Sequence, residues 1–224
     1  MSLAVGQNYM LRINVMTTAT PRTELHRTTL EPTLKVLSEH FDVRLYITLD
    51  DVLDEDSFKE SIEYIGTLPT RQTHLMPSKT GSFKLVTKRL YDTVCPEDEN
   101  DIFLWLEDDW VLMKPDLFVD ELKKFSESDY DFIVTTLYDQ IGGNPLVFRK
   151  PFFDEMKKYY FQNEKPMDPE RVLWHTESAI WGGLHQSTWL FLKDVFVDAG
   201  REWRDARGIE KEDKRSDEMT TWIT

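Results

Sequence analysis

Apolar positions in the first half of the chain switch back and forth between two spacings. Arg12 to Thr18 is short and rich in β-branched residues, which predicts a strand. Thr20-Pro21 then predicts a helix start, with Thr20 as N-cap and Pro21 in the first helical position. Leu30, Leu34, Leu37 and Phe41 recur at helical spacing, so this helix lays one face on a sheet. The period then drops to two. Val43, Leu45, Ile47 and Leu49 point one way and Arg44, Tyr46, Thr48 and Asp50 the other, a strand that ends in Asp50-Asp51. The polar, acidic run from Asp54 to Glu63 predicts a surface helix, and Thr73 to Met76 a short strand before the Pro77-Ser78 break. A helix follows over Ser82 to Val94, with Phe83, Val86, Leu90 and Val94 on one side, and Pro96 to Asn100 reads as a polar loop. Ile102 to Leu106 is apolar on both faces, as a central strand covered by helices on each side must be. The order is βαβαβαβ, an α/β chain with a wound, mostly parallel sheet flanked by helices.

The second half is patterned differently. Pro115 to Phe125 predicts a helix, Phe132 to Tyr138 a strand, Gly142-Gly143-Asn144 a turn, Leu146 to Phe148 another strand, and Phe152 to Tyr160 a helix. Beyond that the chain is irregular, aromatic and rich in tryptophan, and the charged stretch Lys211 to Arg215 suggests a tail or lid. Composition shifts near residue 140, yet no flexible linker or internal repeat marks a boundary. Residues 1–224 therefore read as one domain with two lobes, about 10–110 and about 111–224.

The chain has 224 residues, enough to bury a substantial core. Its 41 acidic against 27 basic residues give a net charge of −14, which argues against nucleic-acid binding, because that needs a basic surface. A small phosphorylated ligand stays allowed, since a local cationic group or a metal ion suffices for it. No apolar stretch exceeds Ile102 to Leu106 and no charged-then-apolar leader opens the chain. The expectation is no transmembrane segment and a cytoplasmic location, with peripheral membrane association through a partner left open. The single cysteine, Cys95, allows no internal disulfide, suits a reducing compartment, and reads as a half-buried packing residue rather than a nucleophile.

The strongest chemical signal sits at the end of the apolar strand, in Leu104-Trp105-Leu106-Glu107-Asp108-Asp109-Trp110. If the extended chain continues, Glu107 and Asp109 project together and Asp108 away from them. Two carboxylates converging at the mouth of an apolar strand repel, so a proton or a cation must compensate. Hard oxygen ligands suit Mg²⁺ or Mn²⁺, and ligands of open α/β sheets bind beyond the carboxyl ends of the strands. A solvated acidic turn is the plainer alternative.

This pattern resembles the DxD signature of GT-A-fold glycosyltransferases, in a Glu-x-Asp form at Glu107 and Asp109. Three other stretches align in order. Val15 to Arg22 resembles the first strand and loop of that fold, which wraps the nucleoside. Ile47-Thr48-Leu49-Asp50-Asp51, with Asp54, resembles its second-strand acidic pair. Gly81 and the basic helix with Lys84, Lys88 and Arg89 resemble the segment before DxD. The resemblance covers the first half of the chain well and the second half loosely. It implies a GT-A-like fold with a nucleotide-sugar-binding lobe followed by a smaller acceptor lobe. It further implies Mn²⁺ or Mg²⁺ on Asp109 and Glu107, and a nucleotide-sugar donor, UDP-linked, held by Thr17, Thr18, Arg22, Asp50, Asp51, Lys84 and Asp108. A glycan or glycoconjugate hydroxyl would be the acceptor.

Each supporting residue has a structural reading beside the functional one. Asp51 equally suits a cap of the next helix, Arg22 equally suits a solvent-exposed first-turn position, and Lys84 and Arg89 read first as a solvated helix face. For the base of an inverting transfer, Glu177 is the first choice, then Glu170 and Asp139. His175 and His185 are candidates for a further metal ligand. Of Trp174, Trp181, Trp189, Trp203 and Trp222, core packing explains most, while Trp110 and Trp181 are placed to line a cleft. Gly182-Gly183 suits either a close backbone approach to a ligand or a turn. Two rivals to transfer of a sugar are a nucleotidyltransferase, disfavoured by the absence of glycine from Thr17 to Arg22, and a non-catalytic carbohydrate-binding module built on the tryptophans. A metal-dependent phosphohydrolase ranks behind both for want of His and Asp ligands.

Overall fold

The computed structural model describes residues 10–50, 54–80, 83–97, 101–129, 132–134, 145–162, 189–192 and 194–206. Its centre is four parallel strands, β1 (Arg12–Ala19), β2 (Asp42–Asp50), β3 (Gln72–Ser78) and β4 (Ile102–Trp105). The links between them are α1 (Thr23–Thr28) with α2 (Leu30–Ser38), then α3 (Glu55–Ile65), then α4 (Phe83–Thr93). The alternation read from hydrophobic spacing is thus the alternation of the fold. After β4 come β5 (Trp110–Leu112), α5 (Pro115–Glu127), β6 (Phe132–Val134), β7 (Leu146–Arg149) and α6 (Lys150–Gln162). The last described elements are β8 (Trp189–Phe191), β9 (Phe196–Asp198) and α7 (Gly200–Asp205).

Seven strands form one sheet in the order β3-β2-β1-β4-β7-β6-β8. Only β7 runs against the others, antiparallel to both β4 and β6, while β8 is parallel to β6. Pro77 is tolerated in β3 because β3 is an edge strand, where a missing N–H costs no ladder bond. A second, two-stranded sheet joins β5 to β9, with Trp110 opposite Asp198 and Val111 opposite Val197. Nothing in the sequence pattern announced it: each strand is three residues long, and β5 follows the acidic cluster directly.

The sheet is buried on both faces. Ile13, Val15, Val43, Leu45, Ile47, Ile102 and Leu104 pack with Leu30, Leu34 and Leu37 of α2, Phe58 of α3 and Phe118, Leu122 and Phe125 of α5. Met16, Tyr46, Phe103, Trp105 and Phe148 meet Leu90, Tyr91 and Val94 of α4 and Phe152, Phe153 and Met156 of α6. That second layer holds an aromatic stack, with Phe103 to Phe153 at 4.7 Å and Tyr91 to Phe153 at 5.4 Å between ring centroids. Successive residues of β4 alternate between the two layers, which is why this strand carries no polar residue at all. Burying each such side chain stabilises the fold by roughly 1.5–3 kcal/mol.

Three local expectations are corrected. The first helix starts at Thr23, not at Pro21, and its N-cap Arg22 makes no side-chain capping bond. Thr20 to Arg22 instead form a turn, with Arg22 N donating to Thr20 O at 2.7 Å, and the turn directs Thr20 N and the Arg22 side chain at Asp108. The helix is also broken at Thr29 into α1 and α2, where the Thr29 hydroxyl has its single proton within reach of both Leu25 O at 2.8 Å and Asp108 O at 2.6 Å. Pro32 fits that break: in the first turn of α2 its missing N–H would have had no helical partner. Finally, Cys95 is exposed rather than half-buried, since α4 ends at Thr93 and the chain turns away. Of the strand read from Phe132 to Tyr138, Phe132 to Val134 is present and the remainder lies outside the described residues.

Candidate functional site

The chain leaves β4 beside the end of β1. Leu106 N donates to Met16 O at 3.0 Å, and the Thr17 hydroxyl donates to Leu106 O, so the first residue of the acidic loop is tied to the neighbouring strand. Extended geometry stops there. Asp108 and Asp109 form a turn into β5, and both side chains are buried, at 3% and 7% exposure, while Glu107 is half-buried. The alternation expected of a continuing strand, with Glu107 and Asp109 paired and Asp108 opposed, is replaced by this turn.

Asp108 is held from four directions. Arg22 Nη2 donates to its Oδ1, His26 Nε2 lies 2.9 Å from its Oδ2, Thr20 N donates to the same oxygen at 3.3 Å, and the Thr29 hydroxyl takes its carbonyl at 2.6 Å. Burial alone would raise the Asp108 pKa. The charge of Arg22 and the contact with His26 overcome it and hold the carboxyl below its ordinary value. Arg22 is affected in the opposite sense: burial works against its charge, but Asp108 and then Asp109 raise its pKa.

Asp109 is less well matched. Arg204 Nη1 lies 3.4 Å from its Oδ2 and Arg22 Nη2 3.8 Å from the same atom. Its carbonyl accepts from Ala199 N at 2.8 Å, which ties the loop to the start of α7. Burial first, then the charge of Asp108, raises its pKa, with Asp198 adding to the effect and the two arginines opposing it. The compensation required of two adjacent buried acids comes here from two guanidiniums, with His26 within hydrogen-bond distance of Asp108. The Trp203 ring lies over Arg22, with the guanidinium carbon 5.2 Å from the ring centroid. Arg22 Nε is buried and has no hydrogen-bond partner among the described residues.

The other candidates separate. Thr17 and Thr18 are buried on β1, the former bonded as above. Asp50 is buried at the end of β2 and accepts from Thr80 N at 2.9 Å, which pins the loop after β3. Arg22 is buried, so its solvent-exposed reading falls: its stem is enclosed by the acidic loop and Trp203. Arg89 donates to Pro77 O at 2.7 Å and Lys88 pairs with Asp92 at 2.8 Å. Asp51, Asp139, Glu170, Glu177, His175, His185, Gly81, Trp174, Trp181, Gly182-Gly183, Trp222 and the side chain of Lys84 lie outside the described residues.

Three neighbours of the acidic pair were not singled out from sequence. His26 follows Arg22 by one helical turn, so the two share a face, and that spacing was available as a signal. Arg204 and Gly200 reach the site from almost a hundred residues away, through β9, and no local pattern points to them. Among the described residues, no three His, Cys, Asp or Glu side chains are grouped to hold a metal.

The sequence matches no protein-family model and no curated protein. The structure does match solved ones. It is similar to a mannosyltransferase from Pyrobaculum calidifontis solved in complex with GDP-Man and Mn²⁺, with a TM-score of 0.57 and 12% identity over 89% of this chain and 61% of that one. The fold is GT-A-like. It is also similar to 4-diphosphocytidyl-2C-methyl-D-erythritol synthase from Anaerococcus prevotii, with a TM-score of 0.53 and 13% identity over 82% of this chain and 87% of that one. A nucleoside-diphosphate-sugar pyrophosphorylase from Vibrio cholerae matches with a TM-score of 0.51 and 11% identity over 86% of this chain and 98% of that one. The chain thus spans less than two thirds of the mannosyltransferase. At such identities the likeness is one of fold. Among the described residues no helix is long and apolar enough to cross a membrane.

Proposed function

We propose that this chain is a nucleotide-sugar-dependent enzyme of the transferase kind, and specifically a glycosyltransferase whose donor diphosphate sits over the Asp108-Asp109 turn. One observation supports this above the others. A buried acidic pair and a buried arginine with a spare N–H meet at the carboxyl ends of β1 and β4, the edge where open α/β sheets take their ligands. The arginine fork suits phosphate oxygens, and its pairing with Asp108 and stacking on Trp203 hold it in place beforehand.

The residues suit a divalent cation of the Mg²⁺ or Mn²⁺ type, which takes one or two carboxylates and fills its shell with water and phosphate oxygens. Asp109, raised in pKa by burial and by Asp108, is the carboxylate whose ionised form gains most from such a cation, and Glu107 is the second candidate. When bound, the cation would offset charge on the departing diphosphate. Asp108 would act indirectly, by fixing Arg22, rather than as a ligand. Thr17 holds the loop to β1, and Asp50 holds the loop after β3 near the expected nucleoside. The lobe of about 10–110 then binds the donor and that of about 111–224 the glycan or glycoconjugate acceptor, with Glu177, and after it Glu170 and Asp139, as candidates to take the proton of the attacking hydroxyl.

Isothermal titration of UDP and GDP, with and without Mn²⁺, tests the donor reading. Binding is expected to need the metal and to be lost in Asp109→Ala; affinity indifferent to both changes overturns it. A nucleotidyltransferase is the second reading, supported by the synthase and pyrophosphorylase among the similar folds. Release of pyrophosphate in place of nucleoside diphosphate decides for it.

A further inference from the structure

Arg204 contacts the carboxylate proposed above as a ligand of the cation. It is buried, and its Nη1 lies 3.4 Å from Oδ2 of the buried Asp109. The helix that carries it is anchored by backbone bonds at its start, which leaves the long side chain of Arg204 able to move. β9 pairs with β5, Ala199 N donates to Asp109 O at 2.8 Å, and Gly200 N donates to Asp198 Oδ1 at 2.8 Å. The fit is close enough that a Cβ on Gly200 would lie 2.0 Å from Asp109 Oδ2.

We infer that Arg204 is a built-in counter-ion for Asp109 that competes with the divalent cation, so that metal and diphosphate bind tightly only together. Without a ligand the guanidinium satisfies a buried carboxylate that would otherwise be costly. A cation arriving alone must displace that positive charge and leave it beside its own, which weakens metal binding. A diphosphate arriving with the cation supplies anionic oxygens for the released fork, and the penalty disappears. The consequence is coupling: each ligand raises the affinity of the other by the same factor. Arg204 is a positioning residue in this scheme, acting through Asp109.

The inference rests on the metal reading of Asp109, and the test separates the two. Mn²⁺ affinity is measured by electron paramagnetic resonance of the free ion, with and without UDP, on the whole chain. Wild type is expected to bind Mn²⁺ weakly alone and roughly tenfold or more tightly with UDP, a factor typical of coupled sites. Arg204→Gln is expected to bind Mn²⁺ tightly alone and to lose most of that enhancement. Arg204→Lys, which keeps the charge, is expected to stay near wild type. Should Arg204→Gln fail to fold, Arg204→Met, with a stem of similar length, replaces it. Arg204→Gln binding Mn²⁺ no more tightly than wild type overturns the counter-ion role alone. Absence of Mn²⁺ binding in wild type and both variants, with UDP present, overturns the metal reading and this inference with it.

Discussion

Gly200→Ala should destabilise the protein although its backbone needs no glycine conformation. The cause is room. A Cβ at this position would meet Asp109 Oδ2 at 2.0 Å, Cγ at 2.6 Å and Cβ at 2.8 Å, all closer than real contacts allow. Asp109 cannot simply rotate away. It is buried, its carbonyl is bound by Ala199 N, and its carboxylate faces Arg204. Overfilling such a site costs about 1–3 kcal/mol, and replacing glycine returns about 0.4–1 kcal/mol through the unfolded chain. The net loss is roughly 1–2 kcal/mol, a fall in melting temperature of about 2–8 °C for a domain of this size. Urea unfolding with an unchanged slope measures it. In an Asp109→Ala background the two shortest contacts vanish, so the cost should shrink by half or more. A Gly200→Ala protein as stable as wild type, or an equal cost in both backgrounds, refutes the steric account.

Removing the guanidinium of Arg22 leaves the buried Asp108 carboxylate with only His26 and Thr20 N, so Arg22→Ala should lose about 3–5 kcal/mol in chemical denaturation. Thr29→Val removes the hydroxyl that bonds Leu25 O and Asp108 O and should cost about 1–2 kcal/mol by the same measurement. Asp109→Asn should do the reverse at neutral pH. Burial and Asp108 raise the folded pKa of Asp109 above its ordinary 3.8, so the unfolded chain gives up this proton first as pH rises. Wild-type stability is therefore lost from pH 3.8 upward until the folded pKa is passed, and the ionised carboxylate is a fixed cost beyond it. Melting curves across pH should show Asp109→Asn above wild type at neutral pH, with the gap closing in acid. A wild-type advantage at neutral pH would mean that Arg22 and Arg204 outweigh burial.

The helices and strands of the first half were legible because each buries one face and its spacing records which. Val43, Leu45, Ile47 and Leu49 all enter one layer, as their alternation requires. β4 reads as a central strand because Ile102 and Leu104 enter one layer while Phe103 and Trp105 enter the other. What failed to show was structure made by long-range polar bonds. Thr20-Pro21 is a strong helix start by local preference, yet the carboxylate of Asp108, 88 residues away from Thr20, takes Thr20 N and delays the helix. The break at Thr29 coincides with another such contact, to Asp108 O, and Pro32 is its one local trace. The β5–β9 ladder is too short for any period to register.

The acidic cluster was legible as a place where charge must be compensated, but not in how the fold compensates it. Glu107-Asp108-Asp109 at the end of an apolar strand marks a spot where acids must be compensated, and that much follows from sequence alone. Which charges compensate depends on what the fold carries there. Arg22 arrives from the loop after β1, because β1 is the parallel neighbour of β4 and both end on the same edge. Arg204 arrives through an antiparallel pair at the far end of the described chain. A turn in place of extended chain then decides the division of labour: Asp108, well matched by Arg22 and His26, becomes part of the framework. Asp109, next to it and poorly matched, keeps the electrostatic demand that a ligand can answer. Adjacent residues of one type thus acquire opposite roles, and the difference lies in their partners.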